Sequence, residues 1–336
     1  FGLDYMVRRS TLADANKRRP SAVFAAVYDA LWKRYSGFLS DSRHIKDHGK
    51  DLYIMDSTTI SLFTDILKCC GRHPKNGKKK GGIKAHTVIK ATADVPVMSC
   101  LTAAAVHDRK VMSIAERLPT GSYLTADKGY VDYEEWQQLT DKGIFYITRL
   151  KKNANFTVIE SHDVSAFKEQ GIISDEIIEV SYKKDHKRPM TEEELKHRRG
   201  RRPKSGIVWM QEWHRGTHRC RRVTKYADNK KNTISFVTND MESPADVICD
   251  LYRRRWQIET LYKRLKGNFP LKYFLGDNVN AIEIQVWVTL IAWLLIEVIH
   301  HGTKRKWSFS NMITALRIIL DSYIGVYDSI GESVPS

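Results

Sequence analysis

The residues best equipped for chemistry lie in the stretch LYRRRWQIETLYKRLKG, where Tyr252, Arg255, Glu259 and Lys266 follow the spacing Tyr-x2-Arg-x3-Glu-x6-Lys. On a helix turning about 100° per residue, these four fall within a stripe roughly 60° wide. Leu251, Ile258, Leu261, Tyr262 and Leu265 gather on the other side, as an amphipathic helix requires. Such a stripe alone describes an ordinary solvated helix face. Two further carboxylates change that reading. Asp56 directly follows the apolar run Leu52-Tyr53-Ile54-Met55, and Asp127 follows Tyr123 to Ala126. Each aspartate is expected at the carboxyl end of a strand, where mixed α/β sheets place their active sites.

Three carboxylates at close range oppose their own ionisation unless a cation neutralises them. Magnesium is the expected occupant, because it takes hard oxygen ligands and leaves room for water and phosphate. Asp56, Asp127 and Glu259 therefore suit a two-metal site for phosphodiester chemistry, with Mn2+ as a substitute for Mg2+. Arg255 and Lys266, on the same stripe as Glu259, would hold adjoining phosphates, Arg255 with two parallel donors.

The elements that must position these groups can be read from periodicity. Leu52 to Met55, Ile83 to Ile89 and Pro96 to Leu101 read as three strands. A helical pattern follows from His107 to Leu118, then strand Tyr123 to Ala126, helix Tyr133 to Leu139 and strand Ile144 to Thr148. The order βββαβαβ predicts an α/β fold of ribonuclease-H-like type, a mixed sheet flanked by helices. Residues 151–238 carry short β-like stretches around a basic segment and read as a β-rich insertion before the last catalytic helix. The expected divisions are an N-terminal helical region (1–48), the first part of the core (49–150), the insertion (151–238), the second part of the core with the catalytic helix (239–301), and a C-terminal helical segment (302–336). Ala245 to Lys266 is expected to be one continuous helix.

Composition narrows the partners. Lys and Arg total 55 against 39 Asp and Glu, a net charge of +16, which points to a polyanion. The charge is clustered: Lys78, Lys79, Lys80 and Lys84 form one group, and ten basic residues lie between Lys183 and Lys204. Neither cluster sits in an amphipathic segment of the kind that binds lipid surfaces, so nucleic acid is expected and no membrane. The most apolar run, Val286 to Ile296, is about half the roughly 20 residues that span a bilayer and reads as a core helix. Five cysteines without CxxC spacing argue against a disulfide framework or a zinc ribbon and fit a reducing cytoplasm. The chain opens on Phe1, so further sequence is expected upstream.

Taken in order, Asp56-Ser57-Thr58-Thr59, Lys80-Gly81-Gly82-Ile83-Lys84, Asp127-Lys128-Gly129-Tyr130 and the Tyr252/Arg255/Glu259/Lys266 set resemble the motifs of bacterial DDE transposases of the insertion sequence 4 family. The resemblance spans roughly residues 50 to 300, and the long gap between Asp127 and Glu259 fits the β-rich insertion for which that family is known. It implies cut-and-paste transposition: a homodimer acting in the bacterial cytoplasm at the nucleoid pairs the element's terminal inverted repeats, cleaves them, with or without a hairpin, and joins 3′ ends to target DNA. Lys128 stands where the family commonly has Arg, which keeps the charge and loses the fork.

Other residues have two readings each. Trp209 and Trp213 would either stack on an extruded base, a role the family gives to an aromatic residue there, or pack in the core, the simpler expectation. Trp256 is expected to buttress the stripe. Lys84, Lys128, Arg198, Arg199, Arg201 and Arg202 are candidate DNA contacts. His107-Asp108 reads either as support for the site or as a helix cap. His73, His86 and His107 with Cys69 and Cys70 match no zinc-finger spacing. Two alternatives share this sheet: a structure-directed nuclease, which would cleave but not join, and a DNA-binding derivative without chemistry.

Overall fold

Leu52 to Met55 is apolar without alternation because the strand it opens is covered on both faces. In the computed structural model this strand, β1 (Leu52–Ser61), pairs antiparallel with β2 (Gly82–Lys90) and parallel with β4 (Tyr123–Ala126). Outside them lie β3 (Pro96–Ala103), antiparallel to β2, and β5 (Phe145–Arg149), parallel to β4. The order β3-β2-β1-β4-β5 is the expected ribonuclease-H-like sheet. The structure describes residues 8–39, 49–61, 82–93, 95–197, 207–227, 232–269, 271, 274, 276, 278–303 and 307–319.

Strand alternation splits the core in two. Leu52, Ile54, Tyr123 and Ile147 face one layer, built from helices α5 (Ala245–Arg253), α6 (Trp256–Asn268) and α7 (Val279–Gly302). Tyr53, Met55, Leu124 and Tyr146 face the other, where α3 (Tyr133–Asp141) packs Trp136 and Leu139. The same alternation assigns Asp56 and Asp127 to the α5–α6 side, since each lies an even number of residues from Ile54 or Tyr123.

His107 to Leu118 forms a 3₁₀ helix (Asp108–Arg117) in place of the expected α-helix. Met112, Ala115 and Leu118 are buried at three-residue intervals, and a three-residue turn stacks them on one line. The N-terminal stretch contributes α1 (Arg9–Arg18) and α2 (Ala22–Leu39), which pack on α7. Tyr28 of α2 is fully buried and donates to the Pro96 carbonyl at 2.6 Å. By length and apolar composition α7 could cross a membrane; here Trp287, Leu290, Trp293 and Leu294 are buried in the core instead. Its 24 residues exceed the apolar run read from sequence. α8 (Phe309–Ile319) packs beyond it.

The stretch read as an insertion of short strands holds long ones. β6 (Asn155–Ser161), β7 (Ile172–Pro189), β8 (Trp209–Tyr226) and β9 (Thr233–Thr238) continue the sheet beyond β5, in the order β5-β9-β8-β7-β6. β7 and β8 are each 18 residues long and paired along their length. The outer half of β7 is rich in Lys and Arg, and that of β8 mixes Trp209, Met210 and Trp213 with polar residues, so neither shows the regular apolar alternation that marks a strand and the sequence underreports them. Near the tip, beside the short helix α4 (Glu192–His197), Arg188 holds Glu194 and Glu212 at 2.5 Å each.

One buried pair joins this ribbon to the core. Arg221 of β8 meets Asp175 of β7 through two bonds, of 2.7 and 2.6 Å, with both residues at most 5% exposed. It also donates to the carbonyls of Asp240 and Ser243 at 3.3 and 2.5 Å, and the Asp240 carboxylate accepts from Tyr123 of β4. Arg221 thus fixes the turn that launches α5. Replacing Arg221 with Ala strands the Asp175 charge in the interior and should cost about 3 to 5 kcal/mol in urea unfolding. A loss near that of an exposed pair, below about 1 kcal/mol, would refute this role.

Candidate active site

Asp56 is not at a strand end, because β1 runs on to Ser61. The parallel pairing with β4 does end one residue earlier, at Met55 and Ala126. Asp56 and Asp127 are therefore the next residues along adjacent strands, and only β4 terminates there. Asp127 caps the short 3₁₀ turn Lys128–Tyr130 by accepting from the Gly129 amide at 3.3 Å. Glycine at 129 suits a close approach: a Cβ there would meet Asp108 Oδ2 at 3.1 Å, tighter than ordinary contact, and Asp127 Oδ2 at 3.6 Å.

The expected single helix from Ala245 to Lys266 is broken between Arg253 and Trp256. Arg255, Gln257 and Ile258 donate to carbonyls three residues back, at 3.0, 2.9 and 3.2 Å, so the chain tightens for one turn. The four signature residues consequently do not share one helix face. Tyr252 lies in α5, buried, with its ring 4.8 Å from Phe236; burial pushes its hydroxyl up to about 12, with Asp127 raising it and Arg255 and Arg149 lowering it, so that end faces the charged groups of the site. Arg255 occupies the joint, Glu259 the first turn of α6, and Lys266 its last turn, exposed, with burial of its stem lowering the ammonium from its ordinary value.

At the joint the Arg255 guanidinium bridges two carboxylates. Nη1 donates to Asp56 Oδ2 at 2.8 Å and Nη2 to Glu259 Oε1 at 2.7 Å. The other Asp56 oxygen accepts from the Ser57 amide at 2.7 Å, and Tyr262 of α6 donates to the Asp56 carbonyl at 2.8 Å. Asp56 and Glu259 are thus gathered on one cation. Among the described residues no three Asp, Glu, His or Cys side chains stand close enough to hold a metal, so the expected three-carboxylate cluster is not closed in this arrangement. The donors fit a divalent metal all the same: two carboxylates already converge on a single positive charge, and Asp127 is adjacent in the sheet.

One guanidinium does not offset three acids. Burial pushes the Asp56 carboxyl up to about 6; Ser57 and Arg255 lower it, and Asp127 and Glu259 raise it again.

Beneath the carboxylates lies a support that the sequence left open. Asp108 accepts from Lys84 at 2.8 Å and from Ser57 at 3.2 Å, so it acts as scaffold, and His107 makes no side-chain cap. Lys84, read as a DNA contact, is committed inward to Asp108 and to the Val106 carbonyl at 3.0 Å. His86 is fully buried between Tyr130 at 2.9 Å and Thr102 at 3.0 Å, and burial lowers it to about 4. That a neutral His would be clamped there has no signature in local sequence.

Other candidates separate. Lys128 is exposed beside Asp127. Trp209 and Trp213 are 59% and 60% exposed on β8, which overturns core packing for both. Trp256, expected as a buttress, is 60% exposed at the start of α6. Arg198, Arg199, Arg201 and Arg202, the Lys78 to Lys80 cluster, His73, Cys69 and Cys70 lie outside the described residues.

The raised Asp56 carboxyl has a consequence for stability. The folded chain holds this proton more tightly than the unfolded chain, whose aspartate sits near 3.8. The contribution is complete below that value and is lost as pH rises through about 6. In metal-free protein, Asp56→Asn should melt higher than the parent at neutral pH, with the gain vanishing in acid below the unfolded aspartate value. An equal gain at both pH values would contradict the assignment.

The chain is similar to known proteins over most of its length. Residues 47–295 match the family described as Transposase DDE domain. The protein y4zB of Sinorhizobium fredii, named as a transposase, is 32% identical over 85% of this chain and 70% of its own length. A Synechocystis protein named as the transposase of insertion sequence element IS4SA is 20% identical over 86% and 71%. The transposase of element IS231B from Bacillus thuringiensis is 25% identical over 53% and 41%. Among solved structures, a piggyBac transposase synaptic complex with hairpin DNA aligns over 85% of this chain and 57% of its own, at 10% identity and a TM-score of 0.45, too distant to carry an argument.

Proposed function

Since the chain belongs to the DDE-domain family of transposases, enzymes that cleave and transfer DNA strands, we propose that Asp56, Asp127 and Glu259 are its catalytic metal ligands for cut-and-paste movement of an insertion sequence. The observation that carries this reading is the Arg255 bridge, which brings Asp56 and Glu259 to one cation although Arg255 and Asp56 are 199 residues apart.

Asp56, Asp127 and Glu259 would hold two Mg2+ ions, with Mn2+ as a substitute. Bound divalent metal supplies Lewis-acid activation of a water or 3′-hydroxyl and charge relief at the leaving oxygen. The chain's own residues do the rest. β1 and β4 hold the two aspartates side by side, and Tyr262 ties α6 to the Asp56 backbone so that Glu259 keeps its distance from them. Arg255, Lys128 and Lys266 contribute positive charge for the DNA backbone. The exposed Trp209 and Trp213 on the ribbon supply flat faces for an unstacked base.

The substrate is double-stranded DNA: the terminal inverted repeats of the element, then target DNA. A homodimer would pair the two ends, working in the bacterial cytoplasm on the nucleoid. Tyr252 anchors the joint on Phe236, and its hydroxyl, beside Arg255 and Asp127, would add a contact for the DNA backbone.

Glu259→Gln keeps the length and the hydrogen-bonding capacity of the side chain while removing its charge. With duplexes bearing the element's ends and Mg2+, this variant should show no strand cleavage, yet shift the duplex in a gel at parental concentrations. Cleavage persisting at the parental rate would sink the assignment of Glu259.

A further inference from the structure

Both Asp56 oxygens already accept a hydrogen bond in this arrangement. Oδ1 accepts from the Ser57 amide at 2.7 Å and Oδ2 from Arg255 at 2.8 Å, while Glu259 Oε1 holds the other arm of the same guanidinium at 2.7 Å. The Arg255 side chain is only 12% exposed, so its charge is held mainly by these two acids. A small divalent cation needs carboxylate oxygens at about 2.0 to 2.1 Å in near-octahedral order, and it repels a guanidinium beside it. Arg255 and a metal on these carboxylates thus oppose each other by charge, and both call on Asp56 Oδ2 and Glu259 Oε1.

We propose that Arg255 is an internal competitor for the divalent-metal site, released when a DNA phosphate takes its guanidinium, so that metal and DNA bind cooperatively.

The geometry supplies each part of this exchange. Arg255 lies at the α5–α6 joint, where backbone bonds to Tyr252 and from Ile258 hold the turn while the side chain reaches to Asp56 and Glu259. Its planar fork matches a phosphate as well as it matches two carboxylates, so a phosphodiester can receive both arms at once. Leaving the acids without a substitute anion would strand a partly buried positive charge, which keeps Arg255 in place until DNA arrives. Once it has moved, Asp56 and Glu259 repel each other and Asp127, which favours metal capture. Because coupling between two ligands is reciprocal, metal must also tighten DNA binding by the same factor. The device keeps the site short of metal, and so of hydrolytic activity, away from DNA.

The proposal rests on the reading that Asp56, Asp127 and Glu259 take a divalent metal, and the test separates the two. Mn2+ is titrated into the DNA-free full chain while the electron paramagnetic resonance signal of free Mn2+ is followed. Arg255→Ala and Arg255→Gln, both checked for an unchanged circular dichroism spectrum, should bind Mn2+ about tenfold or more tighter than the parent. Adding a duplex that carries the element's inverted repeats should tighten Mn2+ binding in the parent and change it little in either variant. If both variants bind Mn2+ no more tightly than the parent, the competitor role is overturned. Adding Asp56→Asn to Arg255→Gln should abolish the tight site. Tight Mn2+ binding that survives this addition would mean that the metal lies elsewhere, and the metal reading would fall together with the proposal.

Discussion

Carboxylates gathered on one side of a sheet repel one another, and the fold tolerates them because a cation stands among them. In this chain the cation is Arg255, placed at the joint of two helices and bonded at once to Asp56 on the central strand and to Glu259 on α6. The bridge ties elements 199 residues apart in the chain, and the layer above the sheet is organised around it. Tyr252 anchors one side of the joint against Phe236, and Tyr262 anchors the other to the Asp56 backbone. The break between α5 and α6 lets both anchors engage, since an unbroken helix would hold the two tyrosines at a fixed rotation.

The opposite end of this arrangement is set by a second buried guanidinium. Arg221 reaches from the ribbon into the turn before α5, so the direction in which α5 leaves the sheet depends on strands β7 and β8. The ribbon is therefore more than an appendage. Its inner half, with Ile178, Val180, Cys220 and Val223 buried, completes the core, while its outer half carries Trp209 and Trp213 into solvent. A sheet extended in this way puts base-sized aromatic surfaces and the carboxylate site on one continuous framework.

Charge follows the same division of labour. Lys84 and Arg221 are spent on Asp108 and Asp175, whereas Lys128 and Lys266 remain at the surface. Counting basic residues in the sequence treats all of them as available to DNA, and burial decides which are.

The sequence by itself determined the order of strands and helices through β5, the identity of the acidic residues and the basic character of the surface. These follow from local periodicity and from residue chemistry, which do not depend on what lies far along the chain. Tertiary structure alone decided three other things. It broke the signature helix at Arg255, because packing on Phe236 and on β1 outweighs the weak preference for one continuous helix. It turned Tyr252 inward and left Trp209, Trp213 and Trp256 exposed, because burial depends on neighbours from distant segments. It also made Arg255 the shared partner of Asp56 and Glu259, since a helical wheel gives angles within one element and no distance to another. The three carboxylates were legible as residues; what neutralises them was legible only in the fold.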